Sequence, residues 1–202
     1  MISTFHVQNM FFSLRLGKIE NEYAVEVGPG PGGITRAILD AKVKEVHVIE
    51  KDPRFIPALN LIRESVGSNR LHVNIGDCLH FNVSSKYELP NFILSLIAVL
   101  KMFLCHITTC SLNYFTEKFE GKVPKTEWNS PERPPLTLFG NLPFNVATPF
   151  IIRLLRNMSD KNDLFTFGRV PSILTFQHEV SQLSSLFTKC SADCLHFAYR
   201  LL

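Results

Sequence analysis

Tyr23-Ala-Val-Glu-Val-Gly-Pro-Gly-Pro-Gly-Gly33 decides the fold. Five residues of mostly apolar, strand-forming character run without a spacer into glycines and prolines. Residues 34–41 then place Ile34, Ile38 and Leu39 at helical spacing. A strand that turns at once into a helix is the opening unit of a parallel α/β sheet. Glycines at that turn let the backbone come close to a ligand, since no Cβ stands in the way.

The same alternation continues along the chain. Glu45–Glu50 reads as a second strand, with Val46, Val48 and Glu50 alternating. Pro53 suits a first helical turn, and Phe55, Ile56, Leu59, Ile62 and Val66 follow at helical spacing. Leu71–Ile75 is a third strand that ends at Gly76-Asp77, and residues 136–140 are a fourth, followed by a helix over roughly 148–157. Ser172–Gln177 makes a fifth, leading into a helix from about His178. Strands separated by helices call for an α/β fold with a parallel sheet covered on both faces.

Composition narrows the class. A chain of 202 residues has room for one full domain and a small appendage. Hydrophobic residues are 46% and charged ones 19%, below the usual share of about 25%, which excludes a disordered chain. The formal net charge of +3 permits a nucleic-acid partner without demanding one. Arg36, Lys42, Lys44, Arg54, Lys122, Lys125, Arg153 and Arg156 are scattered rather than clustered. Cys78, Cys105, Cys110, Cys190 and Cys194 are too unevenly placed for a disulfide framework and read as reduced thiols. No metal is expected: Cys190 and Cys194, with His178 and His196 near, lack the tight paired spacing of a zinc site. His47, His72 and His106 read as core or edge histidines.

The alternation breaks between Asp77 and Leu136. Residues 89–107 carry Lys101 as their single formal charge. That length is marginal for a bilayer span, and a lysine in the middle is costly there. The piece reads as a buried helix or an insertion, and no stable membrane insertion is expected. A charged stretch from Glu117 and the run Pro131, Pro134 and Pro135 read as linker. The organisation expected is therefore an N-terminal segment (1–18), a cofactor-binding half (19–87), an insert with a Pro-rich linker (88–135), a catalytic half (136–185) and a divergent tail (186–202). Residues 1–18 lack acidic side chains and carry Arg15 and Lys18, loosely like a transit peptide.

Gly28, Gly30 and Gly33 satisfy the dinucleotide pattern G-x-G-x-x-G, so a nicotinamide cofactor has to be weighed. Glu50, closing the second strand, suits the ribose hydroxyls of either kind of cofactor. Glu26 separates the two, because a carboxylate on the strand repels a pyrophosphate but attracts the sulfonium and ammonium of S-adenosylmethionine. Asp77 is placed either to accept from an adenine amino group or to cap the segment that follows. Gly140-Asn-Leu-Pro-Phe-Asn145 ends the fourth strand, at the edge where open α/β sheets bind ligands. The Asn141 oxygen can accept a hydrogen of an exocyclic amine, and Phe144 can stack on a base that has left its helix. The plainer reading of that tetrapeptide is a proline turn that ends a strand.

Residues 26–36 (EVGPGPGGITR), 50–57 (EKDPRFIP), 76–77, 140–155 (GNLPFNVATPFIIRLL) and 168–180 (GRVPSILTFQHEV) together resemble the rRNA adenine N6,N6-dimethyltransferases, and most closely their mitochondrial branch. Phe144 and the paired Pro29 and Pro31 favour that branch. The resemblance implies a Rossmann-like class I methyltransferase sheet with S-adenosylmethionine as cofactor. It implies Gly28 and Gly30 against the methionine part with Glu26 steering that end, Glu50 on the ribose, Lys51 flanking the adenine, and Asp77 and Cys78 reading its edge. Asn141, Pro143 and Phe144 would hold the target base. The implied reaction is N6,N6-dimethylation of adjacent adenosines in the 3′ hairpin of small-subunit rRNA, with the mitochondrial ribosome as partner and the matrix as location.

Departures from the family are visible as well. Gln8-Asn9-Met10-Phe11 is an interrupted copy of the family's opening segment, and sixty-four positions separate Asp77 from Asn141. The expectation is an incomplete sheet, its last strands and helical C-terminal domain missing, from an alternatively spliced or partial product. An inactive product with an RNA-binding or transcription-associated role is the competing reading.

Overall fold

The structure, a computed structural model, describes residues 19–79, 113–177 and 195–200, the last as backbone only. Its elements run β1 (Tyr23–Val27), α1 (Gly33–Asp40), β2 (Glu45–Glu50), a 3-10 turn (Pro53–Phe55) leading into α2 (Ile56–Val66), and β3 (Leu71–Ile75). After them come α3 (Asn113–Phe119), β4 (Leu136–Asn141), α4 (Phe144–Ser159), a second 3-10 turn (Asp163–Phe167), β5 (Ser172–Gln177) and β6 (Leu195–Arg200). The strands form one sheet in the order β3-β2-β1-β4-β5-β6, and every neighbouring pair is parallel.

All five residues of β1 are buried, as a central strand covered on both faces requires. Val25 and Val27 face one core layer with Leu138, Phe150, Leu154 and Phe165. Ala24 faces the other, built from Ile34, Ile38, Val46, Val48 and Leu59. The five expected strands are all present, so the parallel α/β class stands.

Three differences from the sequence reading have physical causes. α4 starts at Phe144, four residues before the expected 148, because Pro143 ends the extended chain at the N-cap position with φ −66° and ψ 156°. Ala147, Phe150, Ile151, Leu154 and Met158 then line one buried face, and that stripe carries the helix through Pro149. The stretch from Glu117, read as linker, is packed: Phe119 and Val123 are buried, and the Phe119 ring meets Tyr23 edge-on at 5.6 Å. Its proline run is anchored too, since Tyr23 N donates to Pro135 O (2.9 Å) and Arg133 pairs with Glu22 (2.6 Å). The third difference is β6, a strand within the region read as a divergent tail; Leu195, Phe197 and Tyr199 alternate there with His196, Ala198 and Arg200.

The apolar segment 89–107, the helix expected from His178, residues 1–18, Cys105, Cys110, Cys190, Cys194 and His106 lie outside the described residues. Among the described residues no helix is long and apolar enough to cross a membrane.

Gly32 shows how tightly α1 meets α2. Its φ is +88°, and a Cβ there would lie 2.4 Å from Ile62 Cδ1 and 3.3 Å from Leu59 Cδ2. Gly30 has φ +57° but open space around it. Gly32→Ala is expected to cost about 2–4 kcal/mol in urea unfolding, from backbone strain plus overpacking. Gly30→Ala should cost only the strain, about 1 kcal/mol. Equal losses at the two positions would sink the packing argument.

Candidate active site

β1 pairs with β2 on one side and β4 on the other, so the order of winding reverses beside it. In an open α/β sheet the crevice outside the carboxyl ends of the strands at such a point receives ligands. Gly28 follows β1, Glu50 ends β2, Asp77 lies two residues past β3, and Asn141 ends β4. The topology thus brings four of the sequence-predicted residues to one edge.

The glycine turn alternates left-handed glycines (φ +67°, +57° and +88° at Gly28, Gly30 and Gly32) with Pro29 and Pro31, whose rings fix their own φ. Gly28 N donates to Ile49 O (3.0 Å), and Gly30 N donates to Glu50 Oε2 (2.9 Å). The other Glu50 oxygen accepts from Asp52 N at 2.7 Å. Glu50, expected on a ribose, is therefore also the tie between the turn and the end of β2. Each of its oxygens keeps a second lone pair. Gly28 packs against the end of β4: a Cβ on it would sit 3.6 Å from Asn141 O.

Glu26 is buried. Thr35 Oγ1 donates to its Oε2 at 2.6 Å, whereas Oε1 has no hydrogen-bond partner. Burial pushes the Glu26 carboxyl up to about 8; the Thr35 bond opposes the rise and the Glu50 carboxylate adds to it. A buried carboxylate oxygen without a donor is costly for the protein alone. It fits a cationic group brought by a ligand.

Asp77 takes the capping role that the sequence left open for it: its Oδ1 accepts from Leu79 N (2.9 Å), while its Oδ2 pairs with Lys51 Nζ at 2.7 Å. Cys78 is buried, and desolvation raises its thiol to about 11, so it is a neutral apolar neighbour rather than a nucleophile. Arg153 of α4 donates to Cys78 O (3.0 Å) and Leu79 O (2.8 Å). Counted among scattered surface charges in the sequence, it instead clamps the loop after β3.

Asn141 Oδ1 accepts from Thr175 Oγ1 at 2.9 Å. Pro143 is exposed at the head of α4, and Phe144 opens that helix, its side chain lying outside the described ones. Thr35 and Thr175 went unnoticed in the sequence because an isolated threonine carries no spacing signal. A second polar group lies at the opposite end of β2, where Glu45 Oε2 is 3.4 Å from His47 Nε2, 3.5 Å from His72 Nε2 and 2.7 Å from Lys122 Nζ. His47 is buried and desolvation holds it well below the usual imidazole range.

The family model described as ribosomal RNA adenine dimethylase matches residues 1–184. A curated relative named dimethyladenosine transferase 1, mitochondrial, from Xenopus laevis is 36% identical over 175 residues, covering 87% of this chain and 41% of that protein. The Homo sapiens protein of the same name is 36% identical over 183 residues, covering 87% and 43%. The chain thus spans about two-fifths of the length of these relatives. A crystal structure of a dimethyladenosine transferase from Plasmodium falciparum aligns with a TM-score of 0.46 at 19% identity, covering 86% of this chain and 42% of that one.

The Glu26 shift has a signed consequence. Between about pH 4.5 and about 8 the fold keeps a proton that the unfolded chain has released. Stability contributed by this group therefore falls as pH rises through that window. Urea unfolding at pH 5 and pH 8 should show wild type losing stability relative to Glu26→Gln as pH rises. Parallel profiles would mean that Glu26 ionises in the fold as freely as in the unfolded chain.

Proposed function

The chain belongs to the ribosomal RNA adenine dimethylase family, and from that premise we propose that it is an S-adenosylmethionine-dependent methyltransferase acting on the N6 amines of adenosines in small-subunit rRNA. The curated relatives' mitochondrial names and the resemblance of residues 26–36 and 140–155 to the mitochondrial branch extend the proposal. The substrate is then the 3′ hairpin of the mitochondrial small-subunit rRNA, where two adjacent adenosines each take two methyl groups, and the location is the mitochondrial matrix.

One observation carries the reading: Gly28 and Asn141 meet across the switch point, which supports reading the glycine turn as the donor's and Asn141 as the acceptor of the target amine. The residues fit the donor. Glu26 Oε1, buried and without a partner, suits its cationic end, and Glu50 can turn its remaining lone pairs to ribose hydroxyls. Lys51, Asp77 and Cys78 would border the adenine, with Asp77 accepting from its exocyclic amino group beside the pair it makes with Lys51. When bound, S-adenosylmethionine supplies an electrophilic methyl group carried on sulfur.

This chain's own residues bind and orient. Asn141 Oδ1 and a neighbouring backbone carbonyl accept the hydrogens of the target amine, which turns its lone pair toward the methyl group. No side chain has to remove a proton first, because the amine is neutral: its lone pair forms the N–C bond as the C–S bond breaks, the donor would leave as a neutral thioether, and the methylated nitrogen then loses its proton to water. As the nitrogen gains positive charge, those oxygens hold it more strongly, so their binding energy is realised in the transition state. Pro143 fixes the turn that leads out of the strand, and the ring of Phe144 is of the kind that stacks on an extruded base. Holding the two reactants in line accounts for the remainder of the rate.

Calorimetry of the full chain with S-adenosylmethionine, paired with methyl transfer to a hairpin bearing adjacent adenosines, tests the proposal. Asn141→Ala should lower turnover on the order of 100-fold with donor affinity nearly unchanged, by analogy with loss of one transition-state hydrogen bond. Glu50→Ala should act in reverse and weaken donor binding about 10- to 100-fold. A cooperatively melting chain that binds no donor would overturn the reading.

A further inference from the structure

We infer that Thr175 is the positioning residue of Asn141, and this rests on the methyl-transfer reading above. Thr175 is the Cα partner of Asn141 in the β4–β5 register. It is buried, and it grips the end of β4 at two points. Its backbone oxygen accepts from Leu142 N at 3.1 Å, and its hydroxyl donates to Asn141 Oδ1 at 2.9 Å. The same hydroxyl lies 3.5 Å from Gly140 O, a weaker alternative acceptor.

The chemistry of an asparagine side chain makes that contact matter. The torsion about the terminal sp³–sp² bond of an asparagine is broad and roughly two-fold, so an unheld amide exchanges its oxygen and nitrogen ends. An amine acceptor has to present oxygen. A hydroxyl has one hydrogen to give; in the flipped amide it would accept from Nδ2 and its hydrogen would be left to Gly140 O at 3.5 Å, so giving it to Oδ1 at 2.9 Å favours the orientation with that oxygen at the end of β4. A carbonyl oxygen has two lone pairs, so one remains for the target amine. Thr175 thus sets the direction of an acceptor without itself touching the substrate. Because the hydroxyl is buried inside the sheet, water does not replace it when it is removed, and the cost falls on the amide.

The test uses the full chain and the variants Thr175→Val, which keeps the shape and loses the donor, and Thr175→Ser, which keeps the donor. Thr175→Val should slow single-turnover methyl transfer about tenfold, the scale of one net hydrogen bond, with donor affinity unchanged within about twofold. Thr175→Ser should restore the rate to within about threefold of wild type. The double variant Asn141→Ala/Thr175→Val should be no slower than Asn141→Ala alone, since both remove one function. Parallel losses of donor binding and rate in Thr175→Val, or losses that multiply in the double variant, would overturn the inference and leave Thr175 as packing. If wild type transfers no methyl group, the functional reading fails, and the inference is then decided by the Asn141 side-chain amide resonances. They should move in Thr175→Val and return in Thr175→Ser; resonances unmoved by Thr175→Val would overturn it.

Discussion

β1 is hydrogen-bonded to β2 along one edge and to β4 along the other, all in parallel register. Strands on one side of it wind outward in one direction, those on the other side in the opposite direction, and the two sets of connections diverge above β1. The loops that leave β1 and β4 therefore stand side by side. The approach of Gly28 to Asn141 depends on that pairing. Were β4 displaced by one strand, Gly28 would no longer lie against Asn141, and the glycine turn and the Asn141 amide would belong to separate surfaces.

The edge so formed is largely pre-organised. Glu50 is held by the backbone N–H groups of Gly30 and Asp52, Asp77 by Lys51 and Leu79, and Asn141 by Thr175. Each bond orders a side chain or a turn before any ligand arrives, which lowers the ordering cost of binding. Glu26 is different. One of its oxygens is tied to Thr35, and the other is buried with its bonding capacity unspent. A buried carboxyl whose ionisation is held back to about pH 8 stores a cost that a cation can relieve.

α4 links the two halves of this edge. Its first residue follows Pro143, next to the amide of Asn141, and one face of the helix is packed into the core. From its middle, Arg153 reaches the carbonyls of Cys78 and Leu79 beyond β3. An arginine has five donors in a fixed fork, and spending two on backbone oxygens anchors a loop at the far end of the strand order to the helix that begins just after Asn141. The end of β4 and the loop after β3 are therefore joined through one helix.

Short-range chemistry was readable in the residues themselves. Period-two alternation in Glu45–Glu50, the glycine and proline turn after Val27, and the Asn-Leu-Pro-Phe end of β4 depend on neighbours a few positions apart, so the sequence determined the parallel α/β class and the strand-end placement of Gly28, Glu50, Asp77 and Asn141. Long-range pairings carry no such period. Thr175 meets Asn141 across 34 positions, Arg153 meets Cys78 across 75, and Phe119 enters the core from a stretch whose charges look like linker. What the tertiary structure alone decided is which polar atoms are satisfied and which are left open. Hydrogen bonding is a property of approach in space, and the chain brings these groups together only once the sheet has closed around β1.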